Sequence, residues 1–278
     1  MSNSTRSTSS TSSLIDSHAV RFTNVNNIGL VVIDREEKQN AINDEVREGL
    51  ITAIELAANE AQIRALVITG AGKAFCAGGD IQGMEERLQA PTGTLAMNGW
   101  SRQRRNNALI TKLYDLPKPT IAAVNGTAAG LGCDLAMACD FVVGCPETRF
   151  IMSFVLRGLI PDGGGMYFLP RRIGMSRAKD LIYSGRPVDH EEAHEIGMID
   201  ELFTSENLVD DAVAKAEKLS AGSPTSIALS KTILNKSFEM SLDDVLAHGC
   251  QAQAICYTTD EHRASVENFL QSRNRKKS

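Results

Sequence analysis

Short apolar runs of strand length recur along this chain between stretches of helical periodicity, and that alternation constrains its fold more than any other feature. Ile28 to Ile33, Arg64 to Thr69, Thr120 to Val124 and Asp140 to Gly144 read as strands, the last three each followed by glycine or another turn signal. Asn43 to Ala58 instead spaces its apolar residues Val46, Leu50, Ile54 and Ala57 by three or four, which predicts a helix with Asn43 at its N-cap. Trp100 to Leu116 predicts a second helix. It ends at Leu116-Pro117-Lys118-Pro119, because proline cannot continue a helix and disfavours the α region before it. Strands alternating with helices require crossover connections and hence an α/β fold with a mainly parallel sheet.

Two of the strand-like runs close with small residues: Lys73-Ala74-Phe75-Cys76-Ala77-Gly78-Gly79-Asp80 and Asn125-Gly126-Thr127-Ala128-Ala129-Gly130-Leu131-Gly132-Cys133-Asp134. Such residues let the main chain approach a ligand closely, so unsatisfied N–H groups at these turns can be aimed at one oxygen. The second segment also opens a helix, whose first amides have no internal partners and carry partial positive charge; a negative oxygen near Leu131 is therefore favoured. Asp134 lies three residues on, within one turn of the same face. It reads either as a base beside an oxyanion site or as an acidic residue complementing the helix N-terminus.

These two motifs resemble those of the crotonase superfamily, the enoyl-CoA hydratase/isomerase family, with its F-x-A-G-x-D-I run and N-G-x-A-x-G-x-G helix start. The resemblance runs from about Phe22 to the C-terminal helix and includes Asp34 to Ala41, Leu116 to Gly126 and Gly158 to Gly165. It implies a spiral of ββα units with a C-terminal α-helical region, and an enzyme that stabilises a thioester enolate. By position in the motifs, the oxyanion donors are the main-chain N–H groups of Gly79 and Leu131. The same resemblance places Lys38, Ala41, Ala77, Gly78, Asp80, Ile81, Gly130 and Phe154 along the acyl-CoA channel. Lys38 reads equally well as a solvated surface charge.

The hydratases of that family use two glutamates. Asp134 stands at the first of those positions and Phe154 at the second, where a phenyl ring cannot accept a proton. Asp162 occupies the place of a catalytic aspartate in related CoA isomerases. Phe150 to Phe154 with Leu159 to Asp162 resembles especially the ring-epoxide isomerases of phenylacetate degradation, and Asp134 with Asp162 matches two of three acidic positions in dienoyl-CoA isomerases. A local alternative for Asp162 is the N-cap of a following helix. The resemblance therefore implies double-bond isomerisation of an unsaturated acyl-CoA, with hydration of a 2-enoyl-CoA to a 3-hydroxyacyl-CoA as the alternative and a non-catalytic CoA-binding homologue as the reading of another class. No cofactor is expected beyond the coenzyme A carried by the substrate.

From Ser176 onward helical patterns dominate, at Ala178–Ser184, His190–Ile196, Asn207–Ala221, Pro224–Ser237, Ser241–Tyr257 and Asp260–Gln271. The expected organisation is a Ser/Thr-rich disordered tail over 1–17, a core over 18–200, and a helical region over 201–278 through which the resemblance implies a homotrimer or dimer of trimers. That tail lacks the apolar stretch of a secretory signal and holds Arg6 as its one cation, where a mitochondrial presequence carries several. Six cysteines without a CxxC pair or metal-like spacing read as buried free thiols in a reducing, cytoplasmic compartment. A net charge of −5 and the lack of basic-aromatic stripes argue against nucleic-acid binding, and no apolar run reaches membrane-spanning length. Arg102, Arg104 and Arg105, and Arg273, Arg275, Lys276 and Lys277, form basic clusters that read first as solvated faces and second as phosphate contacts. The histidines at 18, 190, 194, 248 and 262 show no catalytic spacing.

Overall fold

The computed structural model describes residues 13–17, 19–89 and 91–275. Strands β1 (Ser13–Ser17), β2 (Val20–Val25) and β3 (Ile28–Ile33) form an antiparallel meander. β1 lies within the segment expected to be disordered, because β2 offers its backbone a ladder of hydrogen bonds that composition does not reveal; residues 1–12 lie outside the described residues.

Helix α1 (Asp44–Asn59) leads to β4 (Ala65–Gly70) and β5 (Ala74–Cys76), then α2 (Gln82–Gln89), α3 (Thr92–Tyr114), β6 (Thr120–Val124), β7 (Thr127–Ala129) and α4 (Leu131–Met137). After β8 (Phe141–Gly144) and β9 (Arg149–Ile151) come α5 (Gly165–Ile173), α6 (Met175–Ser184), β10 (Pro187–Asp189), α7 (His190–Glu195) and β11 (Glu201–Leu202). The chain closes with α8 (Leu208–Leu219), α9 (Pro224–Leu234), α10 (Leu242–Tyr257) and α11 (Asp260–Arg275).

One sheet has the order β1-β2-β3-β4-β6-β8-β11 and is parallel from β3 onward; a smaller sheet has the order β10-β9-β7-β5. Three successive units thus send one strand to each sheet and then a helix: β4-β5 with α2 and α3, β6-β7 with α4, and β8-β9 with α5. This is the expected spiral of ββα units, followed by helices.

Every residue of β4 and of β6 is buried, as befits parallel strands covered on both faces. One core cluster joins both sheets to α1, α3, α4 and α5 through Phe22, Leu50, Phe75, Leu109, Leu135, Phe150 and Leu169. Burial of each such side chain is worth about 1.5–3 kcal/mol against leaving it exposed. A second cluster sets Leu208, Ala212, Val213 and Ala216 of α8 on Ile28, Ala65, Val67, Ile121 and Val143 of the large sheet. The expected division at residue 200 therefore falls inside the sheet layer, since β11 pairs with β8 and α8 covers the strands. Asn43 caps α1 as its spacing predicts, accepting from the Val46 N–H at 2.8 Å.

Candidate active site

Parallel pairing of β5 with β7 brings the two glycine-rich segments together. Beyond the strand ends they run backbone to backbone: Gly78 has φ +92°, and a Cβ there would stand 2.5 Å from the Ala129 carbonyl oxygen. A Cβ on Gly132 would collide with the Cys76 carbonyl. Small residues at these positions permit the approach, and it brings the first amide of α4 against the 78–79 turn; the Gly78 Cβ position lies 3.3 Å from Leu131 N.

The bridge between Ile42 and Gly79 decides where the Gly79 amide faces. In this parallel pair Ile42 donates to the Gly78 carbonyl at 2.7 Å and accepts from Asp80 at 3.2 Å, which turns the N–H of the intervening Gly79 away from Ile42. Leu131 is the first residue of α4, so its N–H has no partner one turn earlier in the helix. Among the described residues neither amide donates a hydrogen bond within the chain.

Asp134 follows one turn into α4 as expected, yet it is wholly buried. Its Oδ2 accepts from the Gly163 N–H at 3.0 Å and its Oδ1 has no hydrogen-bond partner. Burial pushes its pKa up to about 8; the Gly163 amide opposes that shift, the charge of Asp162 adds to it, and the Gly165 amide opposes it.

Asp162 lines a cavity of about 340 Å³, together with Asn107, Ile110, Thr111 and Tyr114 of α3, the Gly163-Gly164 turn, and Tyr167 and Phe168 of α5. Asp134 is not among the lining residues. The N-cap of α5 is Gly164, with no side-chain cap, so the capping alternative for Asp162 does not hold. The turn rests on α4: a Cβ on Gly163 would lie 2.5 Å from Leu131 Cδ1. Rings of Tyr114, Tyr167 and Phe168 pack edge-on or tilted at centroid distances of 5.2–6.0 Å, and Tyr114 donates to the Asn235 carbonyl at 2.6 Å. The α3 lining was missed from sequence, although positions 107, 110, 111 and 114 share one helical face and that periodicity carries the signal.

Six of the channel residues, Lys38, Ala41, Ala77, Gly78, Asp80 and Ile81, lie on two segments docked together, while Gly130 and Phe154 lie elsewhere. Ala77 donates to the Gln39 carbonyl at 2.9 Å and Ile42 to Gly78, which holds 38–42 against 77–80. Lys38 is exposed there, Ala41 is buried and Ile81 is 69% exposed. Asp80 is engaged by Arg35 at 2.5 Å and accepts from the Gln82 amide at 2.9 Å, so its carboxylate braces the loop. Arg35 and the fully buried Asn40, which bonds the Ala71 and Ala74 carbonyls, organise this loop and carried no role in the sequence reading. Phe154 is buried, with its ring 3.8 Å from the Cβ position of Gly130.

The basic cluster on α3 is divided. Arg104 stacks on Trp100, while the carboxyl of Asp44, whose pKa is lowered first by its hydrogen bond with Arg47, is lowered further by the charges of Arg105 and Arg102. Lys276 and Lys277 lie outside the described residues. Cys76, Cys133, Cys139 and Cys145 are buried and Cys250 is exposed; burial pushes the Cys76 and Cys139 thiols up to about 12, which removes them as nucleophiles at neutral pH. No group of His, Cys, Asp and Glu that could hold a metal, and no helix long and apolar enough to cross a membrane, occurs among the described residues.

A family model described as enoyl-CoA hydratase/isomerase matches residues 23–276. The chain is 37% identical over 243 residues to a 1,2-epoxyphenylacetyl-CoA isomerase of Escherichia coli (strain K12), covering 87% of this chain and 92% of the relative. It is 31% identical to a short-chain-enoyl-CoA hydratase of Clostridium acetobutylicum, covering 88% and 92%. A crystal structure of an enoyl-CoA hydratase/isomerase from Cupriavidus metallidurans CH34 superposes with a TM-score of 0.85 at 35% identity, over 93% of this chain and 96% of that one.

Proposed function

Because this chain belongs to the enoyl-CoA hydratase/isomerase family, we propose that it moves a double bond in an unsaturated acyl-CoA through a thioester enolate. A thioester makes its α-proton acidic, but the enolate remains costly unless its oxygen is stabilised. The Gly79 and Leu131 amides take that part, since neither donates a hydrogen bond among the described residues. Asp162 then takes a proton from C2 of a 3-enoyl-CoA and returns it at C4, which leaves the double bond between C2 and C3; one carboxylate that reaches both carbons suffices.

The observation that carries this reading is the asymmetry between the carboxylates: Asp162 lines the cavity, while Asp134 is wholly buried and does not; by the resemblance, Phe154 stands where a hydratase has its second acid. The name of the Escherichia coli relative, an isomerase, supports the same direction. Hydration remains the second reading, favoured by the name of the Clostridium relative. Lys38, Ala41, Ala77 and Ile81 border the coenzyme A portion, and the reaction uses no cofactor beyond the coenzyme A that the substrate carries. A homotrimer, or a pair of trimers, is the proposed assembly, because α10 buries none of its residues in the single chain.

The test supplies 3-enoyl-CoA and 2-enoyl-CoA separately and follows double-bond position and added water. Conversion of 3-enoyl-CoA to 2-enoyl-CoA is expected. Conversion of 2-enoyl-CoA alone to a 3-hydroxyacyl product would transfer the reading to hydration, and acyl-CoA binding without turnover of enoyl, dienoyl or epoxide substrates would mark a non-catalytic homologue.

A further inference from the structure

Next to the Asp162 turn lies a buried carboxyl that the proton transfer does not use. Asp134 has no solvent exposure, one oxygen bound to the Gly163 amide and the other without a partner. Its surroundings are close on every recorded side: a Cβ on Gly163 would come within 2.7 Å of Oδ2, and one on Gly165 would collide with Oδ1. The two glycines follow Asp162 directly in sequence and lead into α5. Asp134 itself stands one turn beyond Leu131, whose amide opens the same helix.

We propose that Asp134 is a positioning residue, a buried carboxyl that ties the Asp162-bearing turn to α4 and so keeps the proton-carrying carboxylate at a fixed separation from the Leu131 oxyanion donor. This rests on the roles given above to Asp162 and Leu131. One hydrogen bond is enough to couple them, because Gly163 sits between the two parts: its amide is held by Asp134, its backbone continues from Asp162, and its Cα rests against the Leu131 side chain. Glycine turns carry little stiffness of their own. Without the carboxyl, the Gly163 amide would lose the acceptor on α4 that ties the turn to that helix.

The state of the carboxyl fits that role. An ionised Asp134 would bury a charge with one oxygen unpaired, which is expensive, and burial accordingly raises its proton affinity. At neutral pH the group is a neutral acid whose Oδ2 accepts from Gly163. Asparagine reproduces that shape and acceptor; leucine reproduces the shape alone.

The experiment compares Asp134→Leu, Asp134→Asn and Asp162→Asn in the full chain, with Asp134→Ala as the second acceptor-free variant should leucine prevent folding. Turnover of 3-enoyl-CoA is expected to fall by roughly 10-fold to 100-fold in kcat for Asp134→Leu, with KM changed by less than about 2-fold, since small misplacements of reacting groups cost that much in rate. Asp134→Asn restores kcat to within about 3-fold of the parent, as an isosteric acceptor should. Amide hydrogen exchange over residues 158–165 is read in parallel and does not depend on activity: faster exchange in Asp134→Leu and retained protection in Asp134→Asn are expected. An Asp134→Asn variant as inactive as Asp162→Asn would make Asp134 the base and overturn the proposal. Equal exchange protection in the parent, Asp134→Leu and Asp134→Asn would overturn it as well, whatever the turnover. Full activity of Asp162→Asn, with the exchange pattern as expected, would instead refute the assignment of the base and leave the clamp standing.

Discussion

A carboxyl buried as deeply as Asp134 couples folding to pH. In the unfolded chain it loses its proton near 3.8, whereas in the folded chain it holds it up to about 8. Between those values the folded state binds the extra proton, so this contribution to stability is fully present below 3.8 and is lost as pH rises through about 8. Asp134→Asn, which cannot titrate, is therefore expected to gain melting temperature relative to the parent as pH rises across that window, with no further gain above it. Thermal melts at pH 5, 6, 7 and 8 check the sign; a parent that gains on the variant with rising pH would contradict it. Gly132 of α4 packs as closely. Its missing Cβ is what lets α4 sit against the Cys76 carbonyl, so Gly132→Ala is expected to lose about 1–3 kcal/mol in a denaturant melt and to lower activity with it.

Between elements, a largely buried ion pair helps hold α9 to the sheet. Lys231 of α9 meets Asp140 at 2.7 Å and the Lys118 carbonyl at 3.0 Å, while Asp140 also accepts from the Thr120 backbone and hydroxyl at the start of β6. Removing the cation leaves that carboxylate short of its partner, so Lys231→Ala is expected to cost about 3 kcal/mol, measured by urea denaturation. The long elements were legible in sequence: β3, β4, β6, β8 and α1 lie within a residue or two of the spans their periodicity predicts. The small sheet was not, because β5, β7, β9 and β10 have three residues each and show no period of their own; only the resemblance implied them. α3 starts at Thr92, ahead of the expected Trp100, through a stretch in which Gly93 and Gly99 suppress helix propensity. At the candidate site, the glycine segments were readable from composition, while Asp162 was singled out only by the resemblance. The burial of Asp134 was not, since nothing local to α4 shows that the 163–165 turn closes over it.

The whole molecule leaves much apolar surface uncovered. Phe238 is 79% exposed, Leu242 73% and Phe269 64%, and α10 buries none of its residues, far more than scattered apolar side chains on a monomer's surface explain. Light scattering on the purified chain is expected to give three copies or six, with Leu246→Asp shifting the mass downward; a monomeric parent would contradict the assembly. The catalytic account stands or falls on whether an enolate forms at all, and solvent exchange at the α-carbon reads that step without waiting for a net reaction. In D2O, the parent chain should place deuterium on the carbon skeleton of 3-enoyl-CoA, at C2 and at C4, and Asp162→Asn should place none. Because one carboxylate can return the proton it took, bound thioester that in the parent neither takes up deuterium nor shifts its double bond would contradict it, as would equal deuterium uptake in Asp162→Asn.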